Sequence, residues 1–159
     1  MHTKHTILGV DPGAKGGYMA RIGDEEIETG KLPDTEGDIL ELVESLALRS
    51  KGQRIAYLEN LVKFTGSPMP ASAMATYASS WGFLKGVLMA NKFQLVLVTP
   101  QAWQKALGLG SSKGMTKASW KNKLRGMAQQ LYPHSSITLA NADAALIFRY
   151  ADLQERGQA

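Results

Sequence analysis

Three carboxylates stand where apolar residues would be expected. The strand-like run Ile7-Leu8-Gly9-Val10 ends on Asp11 and passes at once into Pro12-Gly13-Ala14-Lys15-Gly16-Gly17. A second buried-type run, RIAYLEN over 54–60, again finishes in an acid, Glu59. A third acid, Asp143, lies amid the apolar residues Ala142, Ala144, Ala145, Leu146 and Ile147. Each has an ordinary explanation. Asp-Pro-Gly closes turns through its own backbone, and an aspartate in a helix first turn is favoured by the dipole. An unpaired buried carboxylate costs several kcal/mol, so a cation or hydrogen-bond donors must meet it. Taken together, the three acids suggest a cluster at strand ends, where open α/β sheets gather functional groups. Carboxylates converging without lysines between them repel, and divalent cations relieve the repulsion. Magnesium suits such an oxygen-only site. Two ions about 4 Å apart can activate a water and stabilise the leaving oxygen of a phosphodiester.

The elements that must position these acids follow from the period of the apolar residues. Residues 5–32 read as three short antiparallel strands joined by tight turns, with Gly16-Gly17 permitting the first. Ile39, Leu42, Val43, Leu46 and Ala47 recur at helical spacing over 35–50. After the strand at 54–60, Gly-Ser-Pro-Met-Pro prevents helix until about residue 70. A helix over 71–91, a third buried strand at 94–100 and a short helix opened by Pro100 come next. Thr116 caps a basic helix ending near Tyr132-Pro133, and Asn141 caps the last helix. The order implies an α/β fold, a mixed five-stranded sheet flanked by helices.

The chain of 159 residues is about one domain long, and no repeat or linker divides it. It has no cysteine, which excludes disulfides, thiolate zinc sites and cysteine nucleophiles. His2 and His5 read as solvated residues near a terminus. With no long apolar segment, the chain is expected to be soluble and cytoplasmic, with no membrane partner. The net charge is only +4, but it is unevenly spread. Acid concentrates in residues 24–44, whereas residues 101–131 hold Lys105, Lys113, Lys117, Lys121, Lys123 and Arg125 and no acid. Lys113, Lys117 and Lys121 recur every four residues. They form either a stripe facing a phosphate backbone or a solvated helix face. Lys15, in the turn after Asp11, is a further candidate phosphate neighbour. The helix at 71–91 carries small residues in two tracks: Ala71, Ala75 and Ser79, then Ala78, Gly82 and Gly86. That face either packs on the chain's own sheet or admits another backbone closely. Met74, Tyr77, Trp81, Trp103 and Trp120 fit core or interface positions.

GVDPGAKGG, followed by YLEN and then NADAALI, resembles the RuvC family of crossover junction endodeoxyribonucleases, within the RNase H-like superfamily. VTPQAWQKALGL resembles the segment after the fourth family strand, so the likeness covers nearly the whole chain. The resemblance implies a single RNase H-like domain over 1–159, with three antiparallel strands followed by parallel ones. It implies two magnesium ions, replaceable by manganese, with Asp11 bridging them, Glu59 holding one and Asp143 the other, and no organic cofactor. The activity implied is structure-specific hydrolysis of four-way (Holliday) DNA junctions in recombination and repair. A homodimer would nick two strands symmetrically, leaving 5′-phosphate and 3′-hydroxyl ends. The helix bearing Ala75, Ala78, Ser79, Gly82 and Gly86 corresponds to the family's dimer helix. Phe64, in the loop after Glu59, is the available ring for stacking on an unpaired base; its other reading is packing beneath the loop. One departure stands out. Family members place a fourth acid, or a histidine, three residues before the last aspartate, where this chain has Ala140. Two other functions compete with cleavage of junctions alone: binding of branched DNA without cutting, and broader cutting of flaps and forks. A sugar-kinase or actin-like ATPase is disfavoured, because the chain has only one Gly-rich turn and no second domain.

Overall fold

The computed structural model describes residues 5–25, 27–60 and 70–157. Strands β1 (Thr6–Asp11), β2 (Gly17–Ile22) and β3 (Glu28–Lys31) are followed by helix α1 (Glu36–Arg49) and strand β4 (Arg54–Glu59). Helix α2 (Ala71–Ala90), strand β5 (Gln94–Val98) and helices α3 (Pro100–Ala106), α4 (Lys117–Leu131) and α5 (Ala142–Glu155) complete the order. The five strands form one mixed sheet in the order β3-β2-β1-β4-β5. β1 runs antiparallel to β2, and β2 to β3, while β1–β4 and β4–β5 are parallel. The elements expected from the sequence are all present. One reading is corrected: β5 is an edge strand, with Leu97 41% exposed, and not a buried one. Its apolar composition resembles that of a central strand, and only the sheet order tells the two apart.

Side chains alternate across a strand, and this splits the core in two. Leu8, Val10, Ala20, Ala56 and Leu58 pack with Val43 and Leu46 of α1 and Leu84 and Leu88 of α2. On the other face Ile7, Met19, Ile55 and Tyr57 pack with Trp103 of α3, Leu124 of α4 and Ala145 and Phe148 of α5. Asp11 shares the parity of Ile7, and Glu59 that of Ile55 and Tyr57. Both acids therefore stand on the α5 face. Parallel register, with Val10 opposite Leu58, ends β1 and β4 at the same level.

Helix α5 lies directly on the middle of β1 because Gly9 has no side chain. A Cβ there would meet the backbone N of Phe148 at 2.5 Å and the carbonyl of Ala144 at 2.7 Å. Gly17 does the same for the turn leading into α5; a Cβ would lie 2.6 Å from the Ala140 carbonyl. The far end of α5 is fastened by charge. Asp152, 4% exposed, accepts from Arg21 of β2 at 2.6 Å and from Arg156 at 3.0 Å. The Arg21 guanidinium also lies 5.7 Å from the centre of the Phe148 ring.

Caps close the helices much as expected. The hydroxyls of Thr99 and Thr116 accept from the backbone of Ala102 and Ser119. Asn141 holds the N-cap position of α5 but does not cap it. Its side chain turns back, accepting from the Thr138 amide at 2.7 Å and donating to the Ser136 carbonyl at 2.9 Å. It thereby ties down the turn that leads to Asp143.

Gly9→Ala should overpack the α5–β1 contact at a cost of about 1–3 kcal/mol. In a chain of this size that lowers the thermal midpoint by about 2–12 °C, measurable by circular dichroism. An unchanged midpoint would show that α5 is free to move off the strand.

Candidate active site

The fold brings Asp11, Glu59 and Asp143 to one pole of the sheet. Asp11 is half-buried at the end of β1, and burial is the largest cause raising its carboxyl from 3.8 to about 8, followed by the charges of Glu59 and Asp143. Glu59 is raised too, first by burial and then by Asp143. The two strand-end carboxyls are within hydrogen-bonding reach of each other, and both are shifted toward the protonated form, which favours a proton on the pair at neutral pH. Trp103 of α3 steadies Glu59 by donating its indole N–H to Oε1 at 3.3 Å. Trp81 of α2 donates to the Glu59 carbonyl at 3.0 Å. These two indoles fix the last residue of β4 from opposite faces of the sheet.

Asp143 is 7% exposed in the first turn of α5. Its Oδ2 accepts a hydrogen bond from Lys121 of α4, and its Oδ1 is buried without a partner among the described residues. A lysine thus stands beside the acids. Burial opposes the Lys121 charge, but Asp143, Asp11 and Glu59 outweigh it and raise the ammonium pKa. Lys121 is one turn along α4 from Lys117, the spacing that read as a phosphate stripe in the sequence. In the fold it points to the carboxylates.

The donor set is oxygen throughout, buried, mutually repelling and left with one orphaned carboxylate oxygen. This chemistry fits a hard divalent cation such as magnesium. Among the described residues no three acidic or histidine side chains converge on a single metal position as they stand. The Lys121–Asp143 pair occupies one of the three carboxylates instead. Ala140, at the place of the family's fourth acid, is half-buried in the turn before α5 and supplies no ligand.

The remaining candidates fall in different places. Lys15, Lys117 and Lys121 line a cleft of about 540 Å³ beside Asp11. Lys113 precedes α4 in a turn closed by the Met115 amide and the Ser112 carbonyl, so the helical spacing does not extend to it. The Lys123 ammonium lies 5.3 Å from the centre of the Trp120 ring. Phe64 lies outside the described residues. Ala75, Ala78, Ser79, Gly82 and Gly86 are all exposed on α2, so that face does not pack on the chain's own sheet.

Two members of the site went unread in the sequence as such. Tyr77 is half-buried beside Gly13, where a Cβ would meet its ring at 3.6 Å. Burial, then Glu59 and Asp11, push its hydroxyl up to about 12. The spacing Tyr77-Trp81-Leu84-Leu88 marks the inward stripe of α2 and was the available signal. Lys31, at the end of β3, also lines the cleft; nothing local distinguishes it from other surface lysines.

A mixed sheet with three antiparallel strands, then parallel β4 and β5, flanked by helices, has the RNase H-like topology. No family model matches the chain, and no curated protein sequence does. Solved structures do match. The structure of Thermus thermophilus RuvC is 14% identical, with a TM-score of 0.58 over 97% of this chain and 98% of that one. RuvC from the same organism in complex with Holliday junction substrate is 13% identical, with a TM-score of 0.57 over 98% of each chain. The chain has the RNase H-like fold of RuvC.

The shared proton has a consequence for stability. The folded state keeps it on the Asp11–Glu59 pair, while the unfolded chain releases it in the ordinary carboxylate range. Stability without metal should therefore fall as pH rises from about 5 toward 8. Thermal melts in chelator should show this fall, and Asp11→Asn should flatten it and raise the midpoint at the alkaline end. A wild-type profile that rises over this range would rule out the buried pair.

Proposed function

We propose that this protein is a magnesium-dependent, structure-specific endonuclease that resolves four-way DNA junctions as a homodimer. The observation that carries the reading is the meeting of Asp11, Glu59 and Asp143 on a RuvC-like fold. Asp11, Glu59 and Asp143 would hold the ions; magnesium there supplies Lewis acidity for hydrolysis of a phosphodiester by water. Asp11 feels the charges of both other acids. Trp103 restrains one oxygen of Glu59 and so limits the orientations that carboxylate adopts. Lys121 balances the acidic charge and brings a cation to the edge of the cleft, where a phosphate of the cleaved strand would lie. Tyr77 packs beside Gly13 in the turn after Asp11 from the α2 side. RuvC has been seen with Holliday junction substrate, which supports a junction as the DNA partner here.

Two symmetric nicks need two sites related by a two-fold axis. The exposed track of small residues on α2 supports a dimer through that helix. Among the described residues no heavy atom lies within 4 Å of where a Cβ on Gly82 or Gly86 would stand, which supports a face open to a second backbone. Gly82→Arg should leave the fold intact and shift the protein to monomer in sedimentation. A dimer that survives this change would place the interface elsewhere.

A second reading, binding of branched DNA without cutting, is favoured by Ala140 and by the Lys121–Asp143 pair, which leaves no ready three-acid metal position. End-labelled four-way junction, incubated beside linear duplex with magnesium or chelator, separates the two. Paired, metal-dependent nicks in the junction are expected. Asp11→Asn, Glu59→Gln and Asp143→Asn should each abolish them while junction binding persists. Tight binding with no nick under any metal would support the second reading.

A further inference from the structure

The cleft beside Asp11 has two kinds of lining. Its apolar part is Pro12, Leu139 and the methyl of Ala140, and Leu139 is 51% exposed. Its cationic part comes from three separate elements besides Lys121: Lys15 in the β1–β2 turn, Lys31 at the end of β3 and Lys117 in the first turn of α4. Among the described residues Asp11 is the one acid lining it. At about 540 Å³ the cleft is within the range of sites that enclose a small ligand. An apolar floor rimmed by cations matches a nucleotide, whose sugar and base edge are weakly polar and whose flanking phosphates are anionic.

Lys31 is available for such a role. It pairs with Asp34 at 2.6 Å, with the carboxylate 79% and the lysine 50% exposed. An exposed pair of this kind contributes little and exchanges readily for a phosphate. Lys31 stays close to the acids because β3 pairs with β2 at Gly17–Lys31, and Gly17 in turn pairs with Asp11. The position is thus fixed by sheet register.

We infer that this cleft is a subsite for the nucleotide adjoining the scissile phosphate, with Lys31 as a phosphate contact and Leu139 as the apolar surface beneath the sugar. The inference rests on the nuclease reading and extends it to two residues that nothing else in the site implicates. The two contacts have different physical signatures. A phosphate contact releases counterions, so its loss flattens the salt dependence; loss of an apolar contact lowers affinity at every salt concentration alike.

The test is equilibrium binding of a fluorescent four-way junction in chelator, titrated at several salt concentrations. Lys31→Ala should weaken binding about threefold or more at low salt and lower the slope of log affinity against log salt by about one. Leu139→Ser should weaken binding about fivefold with the slope unchanged. Asp34→Ala should act in the opposite direction to Lys31→Ala. Lys51→Ala, an exposed lysine before β4 at the other pole, should change neither quantity. All four positions are exposed or partly exposed, and circular dichroism confirms that the variants fold. If the wild-type chain binds while Lys31→Ala and Leu139→Ser are indistinguishable from it, the subsite is overturned and the nuclease reading stands. If Lys51→Ala lowers the slope as much as Lys31→Ala, the effect is one of overall charge, and the subsite is likewise overturned. If the wild-type chain does not bind the junction, both the subsite and the nuclease reading fall.

Discussion

The contact on which the rest depends is backbone against backbone: α5 resting on β1 at Gly9. A helix normally stands about 10 Å off a sheet because side chains intervene. Here the would-be Cβ of Gly9 overlaps the Phe148 amide and the Ala144 carbonyl. The helix therefore lies low across the centre of the sheet, and its first turn reaches the level at which β1 and β4 end. Without that close approach Asp143 would stand a side chain's thickness away from Asp11 and Glu59. The run Ala142, Ala144, Ala145 serves the same end, since small residues let the first turn settle into the sheet.

Bringing three acids together creates an electrostatic problem, and the protein meets it in two ways. Burial and mutual repulsion push Asp11 and Glu59 toward the protonated form, which favours removal of one charge. Asp143 takes Lys121 as a counterion. Neither arrangement satisfies every oxygen, because Asp143 Oδ1 remains buried and unpartnered among the described residues. The cluster is thus held under tension by the fold and is not stabilised by its own contacts. Such an arrangement is common where a site is prepared for a charged ligand.

Much of this was legible in the sequence, for definite reasons. Asp11 and Glu59 could be found because each interrupts an apolar strand at its end, and Asp143 because it interrupts an apolar helix. The strands and helices followed from period. What the sequence did not reveal depends on tertiary placement. Gly9 reads as an unremarkable strand residue, since only the helix above it explains the missing side chain. Lys121 reads as one member of a basic stripe, and only the crossing of α4 over α5 turns it toward Asp143. Asn141 has the chemistry of a cap, but the preceding turn offers its amide two better partners. β5 has the composition of a central strand and the position of an edge.

The ionic fastening at Asp152 gives α5 the character of a gauge block. Asp143 and Asp152 are nine residues apart on one helix, a span of about 13.5 Å at the rise of an α-helix. Arg21 of β2 seats one end, and the glycine contact on β1 prevents the middle from lifting. The carboxylate at the other end is then set by length, much as a machinist sets a tool from a reference face. Position at the carboxylate pole is in this way dimensioned from the opposite pole of the sheet.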